Sequence, residues 1–79
     1  MNWIATFYSH FSAVRYMQQC KQVGLSARLT PVPRDLSSSC GTCVRYEAER
    51  PFFSDSEEVE QIVEITADGY RVYFRAENS

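Results

Sequence analysis

The residues best suited to chemistry are Cys40-Gly41-Thr42-Cys43, a C-x-x-C in a 79-residue chain. Two thiols at this spacing can bridge to each other, share a metal, or act as nucleophile and resolving thiol. Four readings follow. In the first, a thiol or persulfide carrier, Cys40 is the working nucleophile. The thiolate is the reactive form, and a helix N-terminus or a cation lowers a thiol pKa of about 8.5 toward neutrality. Arg34, Arg45 and His10 are candidate cations. Gly41 leaves the approach to the sulfur unshielded, and Ser37, Ser38 and Ser39 add donors for an anionic sulfur or selenium.

The second reading is a dithiol–disulfide couple. Thioredoxin-type motifs open a helix after a strand, whereas this pair precedes a strand-like segment. The third is a zinc half-site, but structural zinc takes four Cys or His ligands and only Cys20 and His10 remain. The fourth makes both cysteines small, semi-buried residues of a tight loop. Cys20 reads as a small apolar group on a helix stripe, and His10 as an ordinary first-turn residue. Arg34 and Arg45 taken singly are solvated charges, and Tyr8, Tyr46, Tyr70 and Tyr73 support the sheet. The Glu57-Glu58-Glu60 cluster reads as the charge bias of a helix start.

The elements that must position these residues are written in the patterning. Asn2 to Tyr8 reads as a strand. Ser9 caps a helix over 10–23, with Ala13, Val14, Met17, Cys20 and Val23 on its apolar face and Gly24 closing it. Leu25 to Val32 is a second strand ended by Pro31 and Pro33, and 33–42 is a Pro/Ser/Gly-rich loop. Cys43 to Glu47 is strand-like. Ser54-Asp55-Ser56-Glu57 supplies a capping box, and Val59, Ile62, Val63 and Thr66 then mark the stripe of a second helix. Asp68-Gly69 is a turn, and Tyr70 to Arg75 alternates as a final strand, with a frayed tail.

The order β-α-β-β-α-β predicts an α+β, ferredoxin-like fold: a four-stranded antiparallel sheet with two helices on one face. A right-handed crossover ends the first two strands at the same sheet edge. The 33–42 loop then lies where the first helix begins, beside Ser9 and His10. The end of the second helix and the Asp68-Gly69 turn should share that edge.

Composition narrows the class. One domain spanning 1–79 is expected, since so short a chain cannot bury two cores. Apolar residues at 44% supply that core and argue against disorder. A net charge of −2 offers no basic face for nucleic acid, and no run approaches the roughly 20 apolar residues of a membrane span. Met1 to Ala5 lacks a signal-peptide pattern, and three cysteines are an odd number for a secreted disulfide scaffold. The expected location is the cytoplasm.

Several segments together resemble a known family. They are Ile4-Ala5-Thr6-Phe7-Tyr8-Ser9, Gly24, and Pro31-Val32-Pro33-Arg34-Asp35-Leu36-Ser37-Ser38-Ser39-Cys40-Gly41, followed by Val44-Arg45-Tyr46. This resembles the small bacterial family described as putative selenium/sulfur carrier protein-like, over most of residues 2–67. The resemblance implies a role in moving or holding sulfur or selenium, with the cysteine before the glycine, Cys40, as the attachment point. Cys43 departs from the family pattern, so its resolving role rests on spacing alone. The expected protein is a stoichiometric carrier more than a true enzyme, with no cofactor and no metal. Its partners would be sulfur or selenium donor and acceptor proteins and, at most, a weak homodimer, with neither nucleic acid nor membrane. The alternative is a non-catalytic binding or regulatory module, or a small dithiol redox protein.

Overall fold

A computed structural model describes residues 1–53 and 59–76. The elements are β1 (Asn2–Phe7), α1 (His10–Gln22), β2 (Ser26–Pro31), β3 (Thr42–Glu47), β4 (Val59–Thr66) and β5 (Gly69–Arg75). They form an α+β structure in which a five-stranded sheet has the order β2-β3-β1-β4-β5. Every neighbouring pair is antiparallel.

The entry and exit of α1 follow from side-chain and backbone chemistry. Ser9 stands in extended conformation and its Oγ accepts from the Ser12 N–H at 3.2 Å, satisfying one free donor of the first turn. At the far end Leu25 N donates to Cys20 O and Gly24 N to Lys21 O, the paired bonds of a Schellman motif. Gly24 sits at φ 87°, where a side chain would be strained. Ala13, Tyr16 and Cys20 are the buried residues of the helix, while Val23, expected on the same stripe, is 59% exposed. Val23 is the C-cap residue beyond the last helical turn. Tyr16 joins the buried set because its hydroxyl donates to the Phe52 carbonyl, so the ring is buried with its polar end satisfied.

The helix packs over β1, β2 and β3. Beneath it Trp3, Ala5, Phe7, Val44, Tyr46 and Ile62 form the main cluster. Alternation sends Ile4, Cys43 and Val63 to the opposite face, where Val32, Leu36 and Ile65 pack on them. The 32–41 segment is therefore a cover on the face that the helix leaves bare.

The largest departure from expectation lies at 59–66, which is the strand β4 and not a second helix. Its apolar residues repeat at three and four because β4 is central and covered on both faces: Ile62 belongs to the helix-side cluster and Val63 to the other. A bulge adds to the mimicry. Thr6 pairs with Gln61 and Phe7 with Val59, so Glu60 is an extra residue that breaks the period of two. The first four strands keep the order of the split βαβ pattern. The described residues, however, contain five strands and one helix where four and two were expected. The Asp68-Gly69 turn consequently moves to the opposite edge, since β4 starts beside Phe7 and ends beside Asn2. The capping box at 54–57 and the tail lie outside the described residues.

Candidate functional site

β2 ends with Pro31 opposite Thr42, and the chain between them closes through Val32 N donating to Gly41 O at 3.0 Å. This bond carries the pairing one residue past Pro31, which is tolerated there because β2 is an edge strand and its missing N–H would face away from β3. Pro33 starts a tight turn in which Leu36 N donates to Pro33 O at 3.0 Å, and Leu36 drops onto the Ile4, Cys43 and Val63 cluster. Ser37 to Gly41 then runs back to β3, with Cys40 half-buried and Gly41 exposed. A side chain added at Gly41 would meet nothing within 4 Å, so the flank of Cys40 opens to solvent.

The loop is held by two consecutive residues of β4. Glu60 accepts from Ser38 Oγ at 2.8 Å, Ser39 Oγ at 2.7 Å, Ser39 N at 3.1 Å and Thr6 Oγ1 at 3.0 Å. Gln61 Nε2 donates to Ser37 O at 2.7 Å. In a regular strand these two side chains would leave opposite faces. The bulge at Glu60 turns both toward the loop. Ser38 passes the restraint on, since its Oγ accepts from the Cys40 N–H at 3.2 Å. Partial burial works against the Glu60 charge, but the bonds from Ser39, Ser38 and Thr6 outweigh it and hold the carboxyl below its ordinary range.

The three thiols have different surroundings. Cys20 is fully buried under α1, and burial pushes it up to about 12 despite a hydrogen bond with Tyr16. Cys43 is also fully buried, its Sγ 3.7 Å from the Pro31 carbonyl. Burial first, and the nearby Cys40 sulfur second, push the Cys43 thiol up to about 11. No pair of cysteines is joined. Only Cys40 has surface open to a reagent.

The other expected site residues divide. His10 comes to the motif, its Nδ1 3.2 Å from Thr42 Oγ1, so the start of α1 does adjoin the loop. Ser38 and Ser39 are beside Cys40, but their hydroxyls are engaged by Glu60 and do not point to an anion on the sulfur. Arg34 is exposed in the Pro33–Leu36 turn. Arg45 stands opposite Arg28 in the β2–β3 ladder, two residues along β3 from Cys43. Glu60 was missed as a site residue because its segment read as a helix start. No local signal marked it, because the bulge that turns Glu60 toward the loop is set by the pairing of β4 with β1. A cleft of about 600 Å³ lined by Tyr8, Leu36, Glu60, Gln61, Tyr70 and Val72 flanks the clamp. Cys40 is not in its wall.

The described residues hold no group of His, Cys, Asp and Glu arranged for a metal ion, and no helix long and apolar enough to cross a membrane. Fold and loop together define a small α+β protein that presents one accessible thiol on a clamped loop between two strands. The family described as Putative Se/S carrier protein-like matches residues 2–67, and the chain belongs to it. No curated protein and no solved structure matches the chain.

Proposed function

We propose that the protein carries sulfur or selenium on Cys40 and hands it to a partner, in line with its family. The observation that supports this most directly is the contrast in access: Cys20 and Cys43 are fully buried, and Cys40 alone is open. In the loading step the Cys40 thiolate attacks the outer sulfur of a donor persulfide. The sulfur–sulfur bond of the donor breaks, its thiolate leaves, and Cys40–S–SH forms. An acceptor nucleophile then takes the outer sulfur and regenerates the Cys40 thiolate. A donor that already holds selenium as R–S–SeH transfers it by the same exchange. The Cys40 thiolate attacks selenium, the donor's sulfur–selenium bond breaks, its thiolate leaves, and Cys40–S–SeH forms.

Cys43 serves a slower exit. Its thiolate attacks the inner sulfur of Cys40–S–SH, hydrogen sulfide leaves, and a Cys40–Cys43 disulfide remains. Burial keeps Cys43 protonated and covered, so this route waits until the loop lifts. Loading on Cys40 is thereby separated from premature discharge. His10, Arg34 and the N–H groups around Gly41 are the candidates to meet the charge on the cargo. The cytoplasm, as a reducing compartment, suits such a thiol.

The test is intact-mass measurement after incubation with a low-molecular-weight persulfide. The expected result is a gain of one sulfur that maps to Cys40, disappears in Cys40→Ser and persists in Cys20→Ser and Cys43→Ser. A protein that gains no sulfur, or gains it equally in Cys40→Ser, is not this carrier.

A further inference from the structure

On the face opposite α1, Arg28 of β2 and Arg45 of β3 are direct cross-strand partners. Their side chains leave the same face side by side, because Val44 and Tyr46 on either side of Arg45 point into the helix-side cluster. Like charges directly opposite in an antiparallel pair destabilise the sheet. This chain, with a net charge of −2, has no general excess of cations to make such a pairing commonplace. Neither guanidinium group has an ion pair or hydrogen bond among the described residues. Arg45 is moreover half-buried, in a cleft of about 210 Å³ that also takes in Arg28, Asn2, Ser26 and Glu47.

A sheet does not gain stability from two guanidinium groups in register with no ion pair to either among the described residues. Their planar forks are, however, the side chains that match tetrahedral oxyanions through paired N–H donors. We propose that Arg28 and Arg45 form a binding site for a divalent tetrahedral oxyanion of the phosphate or sulfate class, either free or as the end group of a small molecule. Asn2 and Ser26 at the cleft wall supply neutral polar groups to the same ligand. Glu47 also borders the cleft, without an ion pair to either arginine, and sets an upper limit on the affinity by repelling the anion. The site does not use Cys40 and does not rest on the carrier reading.

The experiment is a titration of the isotopically labelled protein with inorganic phosphate, and in a second arm with glycerol phosphate, followed by NMR at constant ionic strength. Saturable shifts at Arg28, Arg45 and their neighbours are expected in one or both arms. Saturation by both ligands supports a free or esterified anion, and by one alone identifies the source. Arg28→Gln and Arg45→Gln should each weaken binding at least tenfold, and Glu47→Gln should tighten it. Removing one of two opposed charges should not lower the thermal midpoint, so both variants are expected to fold. Should Arg45→Gln not fold, Arg28→Gln and Glu47→Gln still decide the matter. Shifts that never saturate, that chloride reproduces, or that survive unchanged in Arg28→Gln would overturn the site. Cys40→Ser should bind phosphate as the wild type does, whatever its sulfur loading.

Discussion

The two faces of the sheet are held by different forces. Under α1, Trp3, Phe7, Tyr16, Tyr46 and Ile62 form a broad cluster in which Tyr16 meets Phe7 at a tilt and Tyr46 edge to face. Each such side chain contributes roughly 1.5–3 kcal/mol by leaving water. On the other face the apolar layer is thin: Ile4, Cys43 and Val63 under Val32 and Leu36. There the cover is fastened chiefly by one carboxylate and one amide, Glu60 and Gln61. A cysteine on the first face, Cys20, is packing material. On the second, Cys43 is buried just behind an accessible thiol, under a cover fixed by bonds that a proton can weaken. The first face holds the larger apolar cluster, and the second relies on polar bonds to one carboxylate and one amide.

Substitutions should separate the two faces, beginning with the costliest. Tyr16→Ala removes the central ring of the helix side and should cost roughly 3–5 kcal/mol, read as a lower urea midpoint. Its folded fraction should still expose Cys40 alone to an alkylating reagent. Glu60→Gln should cost about 1–3 kcal/mol, because Ser38, Ser39 and Thr6 lose an ionised acceptor. Unlike the helix-side variant, it should also let native-state alkylation reach Cys43. Equal protection of Cys43 in both variants would remove the distinction between the faces.

The pH dependence belongs to the loop face. The Glu60 carboxyl is held below its ordinary range in the folded protein. Its contribution is therefore fully present above about 4.3, the usual Glu value, and is lost as pH falls through the lower native value. Urea midpoints of wild type and Glu60→Gln should differ at neutral pH and converge in acid. A difference that persists in strong acid would assign the stabilisation elsewhere. The smallest effect is expected at the closure of α1. Gly24→Ala forces a side chain into φ 87° and should cost about 1–2 kcal/mol with thiol access unchanged.

Local chemistry made much of this readable in advance. Ser9 and Gly24 bracket a helix at His10–Gln22 because capping and a left-handed exit depend on neighbours in the chain. Pro31 and Pro33 suit an edge strand and its exit for an equally local reason, since neither carries an N–H. At 59–66 the same method fails. Val59, Ile62 and Val63 match a helical stripe only because a bulge and burial on both faces erase the alternation of a strand. Periodicity reports one buried face, and β4 has two.

The sequence by itself determined the helix, the proline-bounded loop, the C-x-x-C within it and the family resemblance that singles out Cys40. These rest on residues adjacent in the chain or on a contiguous motif. Only the tertiary structure decided which thiol is open and which serine donors are already taken. It also decided that Glu60, far along the chain, fastens the loop, and that Arg45 faces Arg28 across a strand pair. Each of these turns on strand order, register and a single extra residue in β4. Those are set by packing across the whole sheet, and no local window of residues carries them.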